Sequence, residues 1–256
     1  AALATSIGYL LPSIIGIVYF FNKKNNLHFV KPKFNIQTIL HSCSNGSSEM
    51  VTQASTAVTT FLYNVIMLKH LGEDGVAAIT IILYVQFLLA AAYMGFTSGA
   101  SPRISYNLGK KDKHELTKII SYSYIIIGLF SVVTFILAKV LGPTVISIFA
   151  GNGTEVFKIT LDGFNTFQLS FLLCGLNIFA SGMFTALSNG KVSALLSVLR
   201  TFVFLSIGIL FLPSVLGVDG IWIAVPLAEL LTLAFSIFYT FKHKNTYGYS
   251  LKSKLA

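Results

Sequence analysis

Charged side chains are scarce in this sequence. Asp, Glu, Lys and Arg make up only 11% of its 256 residues, 54% are hydrophobic, and the mean hydropathy is +0.76. Soluble globular domains carry about 25% charged residues, so this composition excludes an ordinary soluble domain. We therefore expect an integral membrane protein.

Cysteine is nearly absent, and the motifs of metal enzymes are not found. The two cysteines, Cys43 and Cys174, are predicted at different depths of the membrane, so we expect no disulfide between them. The five histidines lie in or beside predicted loops, and no HExxH or CxxC spacing links them. No nucleophile and base stand together either. The sequence therefore argues against an enzyme, and no cofactor is expected.

Acidic residues are half as frequent as basic ones, 9 against 18, which gives a net charge of +9. Fifteen of the basic residues fall in or toward alternate connections between apolar runs or in the C-terminal tail, and the opposite side has only Lys69, Lys139 and Lys158. This asymmetry follows the positive-inside rule and predicts a multi-pass protein of the cell membrane with a cytoplasmic C-terminus. Binding to nucleic acid is the poorer explanation of the charge.

Long apolar runs, by contrast, fill most of the chain. Each run has about 19 residues or more, enough to cross a hydrocarbon core of roughly 30 Å. The runs are Ala1–Phe21, Met50–Leu68, Gly75–Ala100, Ile119–Leu141, Phe157–Leu187, Ala194–Leu212 and Ile221–Phe241. The sequence thus predicts an all-α polytopic membrane protein with seven transmembrane helices.

The longest polar connection, residues 22–45, is the natural boundary in the chain. Its apolar residues from Phe34 to Cys43 have roughly helical spacing, which predicts a short amphipathic helix on the cytosolic surface. Such a segment couples two lobes or is simply a solvated linker. Since no initiator Met precedes Ala1, we expect the sequence to be cut from a larger protein.

A turn sequence occurs twice, as LGEDGVAAI from Leu71 and as LGVDGIWIA from Leu216. Glycine adopts positive φ angles and Asp bonds neighbouring amides, so Gly-x-Asp-Gly favours a tight reversal between two helices. We expect a turn between two antiparallel helices at both places.

Polar side chains follow one face of several predicted spans. Lipid cannot satisfy such groups, so they must face one another or a water-filled cavity. Hydrogen bonds between helices explain the presence of any single Ser or Thr, whereas continuous polar stripes in several helices favour a pathway for solutes across the membrane. The candidate pathway residues are Glu49, Gln53, Thr56, Thr60, Asn64, Gln86, Asn177, Ser181, Arg200 and Glu229.

The ionisable members of this set leave alternatives open. Glu229 lies well inside its span, three residues after Pro226, and either couples transport to an ion or forms a structural pair with Arg200. Arg200 itself could instead reach the cytosolic interface. Glu49 lies near the start of its helix, where a carboxylate also complements the helix N-terminus.

The order of several motifs resembles one known family. NGSSEMVTQASTAVTTFLYN, LGEDGVAAITI, GFTSGASPRISYNLGKKD, GMFTALSNGK and GVDGIWIAVPLAELL resemble the C-terminal half of multidrug and toxic compound extrusion (MATE) transporters, which belong to a wider flippase superfamily. The resemblance covers essentially the whole chain. It implies that residues 1–21 are the last helix of an otherwise absent N-terminal lobe, that residues 22–45 link the lobes, and that residues 46–256 form a six-helix lobe with a cytosolic tail. It also implies a two-lobe transporter that exports small cationic, amphipathic compounds in exchange for H⁺ or Na⁺ across the lipid bilayer.

The sequence departs from this family at one predicted site, and two other interpretations of its function compete with a drug transporter. Branches with a cation site in this lobe place a Glu in helix seven and an Asp in helix ten; here these positions fall on Gln53 or Ala57, and on Asn177. An ion site of that kind is therefore in doubt. The competing interpretations are a flippase for lipid-linked saccharides, which should need a larger basic cavity, and a truncated membrane protein without transport activity.

Overall fold

The computed structural model describes residues 2–24, 28–31 and 34–249, with the side chains of 2–5, 45, 47–49 and 52 left aside. The described chain is helical, with no strand in those ranges. Its α-helices are α1 (Ala2–Phe21), α2 (Ile36–Lys110), α3 (Lys113–Phe149), α4 (Glu155–Phe167), α5 (Phe171–Ala186), α6 (Gly190–Ser197), α7 (Leu205–Leu216) and α8 (Val218–Tyr247). The prediction of an all-α fold is confirmed.

Two departures from α-helical geometry link these helices. A 3₁₀ turn, Gln168–Ser170, joins α4 to α5, and a π-helical segment, Val198–Phe204, joins α6 to α7. Five stretches of the described chain are long and apolar enough to cross a membrane: Gln53–Lys110, Lys113–Phe149, Glu155–Ala186, Gly190–Leu216 and Val218–Tyr247. A shorter apolar helix covers Ser6–Phe21. The chain is therefore a polytopic membrane protein, while the count of seven spans stays a prediction.

The two Gly-x-Asp-Gly turns have the expected backbone geometry. Gly72 has φ 67° and ψ −155°, which interrupts α2 and separates residues 36–71 from 73–110. Gly217 has φ 61° and ψ −139° between α7 and α8. A residue with a Cβ atom strongly disfavours these backbone angles, whereas glycine adopts them readily. The same sequence therefore makes the same break twice.

The chain divides into two units, Ala1–Leu40 and His41–Ala256, described separately. In the first, the apolar side chains of α1, such as Leu10, Ile15 and Phe21, are exposed. The segment predicted as a short amphipathic helix forms the start of α2. Asn35 Oδ1 accepts hydrogen bonds from the backbone N–H groups of Gln37 and Thr38 at 3.0 and 3.3 Å. Asn35 is thus an N-terminal cap. The predicted boundaries at 21 and 45 remain predictions.

The second unit has two clusters of buried apolar side chains. One contains Tyr93, Ile120, Phe179 and Phe184, from α2, α3 and α5. The other contains Tyr63, Ile82, Phe171 and Trp222, and also draws on α3, α4, α7 and α8. Outside these clusters many large apolar side chains remain exposed, which is typical of a surface that contacts lipid.

Glycines in α4 and α5 let these helices approach their neighbours closely. A Cβ atom at Gly163 would lie 2.6 Å from the Trp222 ring, and one at Gly175 or Gly182 would overlap Tyr93 or Thr97. Small residues at helix contacts are the usual means of packing within a bilayer, where water does not drive association. These contacts hold α4 and α5 against α2 and α8, and so fix where Asn177 lies.

Candidate functional site

A buried polar cluster joins α5, the π-helical segment and α8. Arg200 Nε lies 2.8 Å from Glu229 Oε1, and Asn177 Nδ2 donates to Glu229 Oε2 at 2.7 Å and to the Glu229 backbone carbonyl at 2.9 Å. Ser236 Oγ donates to Asn177 Oδ1 at 2.9 Å. The Glu229 side chain is only 3% exposed. Both of its carboxylate oxygens are thus paired within the membrane-spanning part of the chain.

Local backbone features place these groups. Glu229 follows Pro226, which lies inside α8 and removes one backbone donor from that turn. Arg200 lies in the π-helical segment, whose wider turn is rare and is frequent at functional sites. On α8, Glu229 and Ser236 are seven residues apart, two turns along one face. The cluster therefore spans two turns of α8.

Hydrogen-bond donors meet both carboxylate oxygens of Glu229. One donor is the Arg200 guanidinium and the other is the Asn177 amide N–H₂. Because donors occupy both oxygens, this arrangement does not present Glu229 to a metal cation. In the ranges that the structure describes, no three His, Cys, Asp or Glu side chains are grouped so as to hold a metal ion. The alternative of a structural pair with Arg200 is realised in the geometry.

A second polar cluster lies between α5 and α6. Ser181 Oγ is 3.0 Å from Ser193 Oγ and 2.9 Å from Ser197 Oγ, while Thr185 Oγ1 is 2.7 Å from Ser193 Oγ. Ser193 Oγ also donates to the Ser181 carbonyl at 2.8 Å. Ser181 thus takes part in contacts between helices. Sequence reasoning missed Ser193 and Ser197, although their spacing of four residues was the available signal.

The polar stripe of α2 has a different environment. Gln53, Thr56 and Thr60 are exposed, and the buried face of this helix instead carries Ser55, Thr59, Tyr63 and Met67. The expected meeting of polar faces is therefore found for α5 with α8, whereas the stripe of α2 lies on an exposed face. Lipid would leave such a stripe poorly solvated.

The remaining predicted residues are dispersed. Asn64 is half-buried and lines an open groove of about 360 Å³ together with Phe61, Leu68 and Glu73. Gln86 is half-buried in the second part of α2. The Glu49 side chain lies outside the described residues. Among the predicted residues that the structure describes, Glu229 contacts both Asn177 and Arg200.

Comparison with known proteins identifies the family of this chain. The family model described as MatE matches residues 50–211, more than half of the chain. The chain belongs to the MatE family. It is similar to the multidrug export protein MepA of Staphylococcus saprophyticus subsp. saprophyticus, with 24% identity over 241 residues, 90% of this chain and 51% of MepA. MepA of Staphylococcus haemolyticus is 22% identical over 96% of this chain and 54% of that protein.

Solved structures agree with this MatE assignment at the level of fold. An outward-facing multidrug resistance MATE transporter of the MOP superfamily superposes with a TM-score of 0.84 at 19% identity, covering 96% of this chain and 56% of its own. A MOP superfamily transporter from Pyrococcus furiosus, described as having a binding pocket of reverse polarity, gives 0.80 at 17%, covering 94% and 55%. This MatE chain thus spans about half the length of the relatives it matches.

Proposed function

We propose that this MatE family chain is the C-terminal part of a secondary active efflux transporter, which exports cationic amphipathic compounds in exchange for H⁺ or Na⁺. The family match over residues 50–211 carries the proposal. Its curated relatives are named multidrug export proteins, and about half of each aligns with nearly all of this chain. The other half of the transport pathway would come from an N-terminal lobe outside this chain.

The exposed polar stripe of α2 supports a pathway on this lobe. Gln53, Thr56 and Thr60 lie on one face of a helix that is otherwise surrounded by exposed apolar side chains such as Phe61 and Val58. In a transporter this face lines the water-filled path between two lobes. Neutral amides and hydroxyls there solvate many substrates without selecting one strongly.

We assign the coupling role to Glu229. Arg200 and Asn177 hold its carboxylate in the arrangement described. Protonation would remove the negative charge and leave the Arg200 guanidinium without compensation in a low-dielectric environment, which strongly disfavours the same packing. Proton binding would thereby shift the population between two arrangements of α7 and α8. The C-terminus lies in the cytoplasm in this proposal, as the basic loops indicate.

The ion pair also weakens the competing function of a flippase for lipid-linked saccharides. Such a substrate carries phosphate groups and should need a larger basic cavity, whereas the sequence predicts only Arg200 as a basic residue available inside the bundle. Since Arg200 is 2.8 Å from Glu229, its charge is already neutralised.

Dye efflux from cells that lack other drug pumps tests the proposal. The complete gene should confer efflux of a cationic dye, and Glu229→Gln should lower the initial rate of proton-driven efflux at least about tenfold, which corresponds to about 1.4 kcal/mol. Glu155→Gln is the matched control, because Glu155 is exposed and pairs with Lys158 at 3.5 Å outside the cluster.

Two results would overturn the proposal. Full efflux by Glu229→Gln, at wild-type amounts of protein in the membrane, would remove Glu229 from coupling. Failure of the complete gene to move any cationic dye in reconstituted vesicles would contradict the transport function itself.

A further inference from the structure

A groove opens where α2 ends and α3 begins. It has a volume of about 540 Å³ and is lined by Pro102, Arg103, Tyr106, Asn107, Glu115 and Ile119. The two helices that form it are both long and apolar enough to span a membrane. The groove therefore lies at the level where a bilayer passes from hydrocarbon to headgroups.

Positive charge is in excess around this groove. Residues 103–118 include five basic side chains and two acidic ones. Both acidic groups form ion pairs. Asp112 Oδ2 lies 3.4 Å from Lys110 Nζ, and Glu115 Oε1 lies 3.1 Å from Lys118 Nζ. The backbone N–H of Glu115, followed by Lys110, holds the pKa of Asp112 below its ordinary value. Neither carboxylate is left to balance Arg103.

Arg103 is the basic group that lines the groove itself. Its side chain is exposed and forms no ion pair in the part of the chain that the structure describes. The Arg103 carbonyl accepts a hydrogen bond from Asn107 Nδ2 at 2.9 Å, which fixes the Asn107 amide beside it. A planar guanidinium with free N–H groups fits the oxygens of a phosphate in pairs.

The rest of the lining is amphipathic. Tyr106 is 69% exposed, as is typical of a tyrosine ring at a membrane interface. Further along α3, Tyr122, Ile126 and Leu129 are exposed as well, and form an apolar surface that leads away from the groove. A molecule that fits this surface has an anionic head and a long apolar body.

We propose that this groove binds the headgroup of an anionic phospholipid, with its phosphate on Arg103 and its acyl chains along the exposed side of α3. Lys111 and Lys113 add to the local potential without contacting the phosphate directly. A free phosphate shares the head chemistry, but it leaves the apolar surface of α3 without a partner. Lipid binding of this kind does not depend on whether the protein transports anything.

The test is lipid-dependent stability and binding of the purified protein. Wild-type protein in phosphatidylcholine nanodiscs should gain thermal stability when phosphatidylglycerol is added, and native mass spectrometry should show bound phosphatidylglycerol. Arg103→Gln should weaken that binding about five- to tenfold, the scale of one basic contact with an anionic lipid surface. Lys139→Gln removes one exposed positive charge elsewhere and should leave the binding unchanged.

Each other outcome contradicts the proposal. Equal binding of phosphatidylglycerol by Arg103→Gln, or equal loss in Lys139→Gln, would show a diffuse charge effect without a site. Stabilisation by inorganic phosphate as large as that by the lipid would show a free-phosphate site instead. Arg103→Lys, which keeps the charge but loses the paired contact, should bind with intermediate strength, and it replaces Arg103→Gln if that variant unfolds in phosphatidylcholine alone.

Discussion

Arg200 and Glu229, 29 positions apart in sequence, form an ion pair of 2.8 Å within the membrane-spanning helices. Asn177 completes the pair from a third element by donating to the second carboxylate oxygen at 2.7 Å. A charge in a bilayer costs several kcal/mol unless it is paired. The pair therefore ties the π-helical segment to α8, and changing either partner should alter both stability and conformational preference.

Removal of Arg200 should destabilise the protein more than removal of both charges. Arg200→Gln leaves a buried carboxylate unpaired and should lower the free energy of unfolding by about 3–5 kcal/mol. The double variant Arg200→Met with Glu229→Leu should recover most of that loss. Thermal unfolding in detergent measures both, and equal losses in the single and double variants would show that the charges do not interact.

Asn177 should contribute to the stability of the protein through the hydrogen bonds of its amide rather than through the volume of its side chain. Asn177→Leu keeps the size but leaves Glu229 Oε2 and Ser236 Oγ without their partner, at a cost of about 1–3 kcal/mol. Ser236→Ala removes one neutral donor and should cost about 1 kcal/mol. The ratio of the two losses, read from chemical unfolding, checks the network. A larger effect of Ser236→Ala would contradict the geometry.

Gly163→Ala should report on the contact between α4 and α8. The new Cβ would lie 2.6 Å from the ring of Trp222, the only tryptophan in the chain, so overpacking should cost about 1–3 kcal/mol. Because Trp222 is only 3% exposed, its displacement should move the fluorescence emission to longer wavelength. Gly128→Ala is the control, since nothing lies within 4 Å of its added Cβ. Unchanged emission and stability in Gly163→Ala would exclude this contact.

Tyr249 should make the protein sensitive to alkaline pH. Burial raises the pKa of Tyr249 above its ordinary value of 10.0, and its hydroxyl donates to the Thr240 carbonyl at 2.7 Å. The folded state thus favours the neutral phenol. Its contribution to stability is complete below pH 10 and is lost as the pH rises through the folded-state pKa.

Tyr249→Phe separates this effect from the titration of other groups. The variant should be about 1 kcal/mol less stable at neutral pH, because one hydrogen bond is lost. The difference from wild type should then shrink above pH 10. Melting temperatures measured across this range give the comparison, and a constant difference at all pH values would argue against a buried phenol.

Much of the fold could be predicted from the residues. Apolar runs and scarce charges indicate spanning helices, because only a helix satisfies its own backbone in lipid. Two copies of one turn sequence predicted two reversals, and the structure has a glycine with a positive φ angle in each, Gly72 and Gly217. The break before α5 and the π-helical segment around Arg200 were not predicted, since both depend on packing that no local pattern encodes.

The candidate site was predicted less completely. Helical spacing identified polar faces on α2, α5 and α8, and it named Asn177, Arg200 and Glu229. Spacing does not tell which faces meet, so the exposed position of Gln53 and Thr60 could not be read from it. Ser193 and Ser197 were missed, because their spacing of four residues places them on one helix face but does not identify Ser181 as their partner.

The sequence by itself determined that this is a helical membrane protein, where its two Gly-x-Asp-Gly turns fall, and which side chains are too polar for lipid. These properties follow from local transfer free energies and backbone preferences, which each segment carries alone. Tertiary structure decided that Glu229 is paired with Arg200 and Asn177 and that the stripe of α2 stays exposed. The rotation of each helix is set by close contacts such as Gly163 against Trp222, and those exist only after the helices have packed.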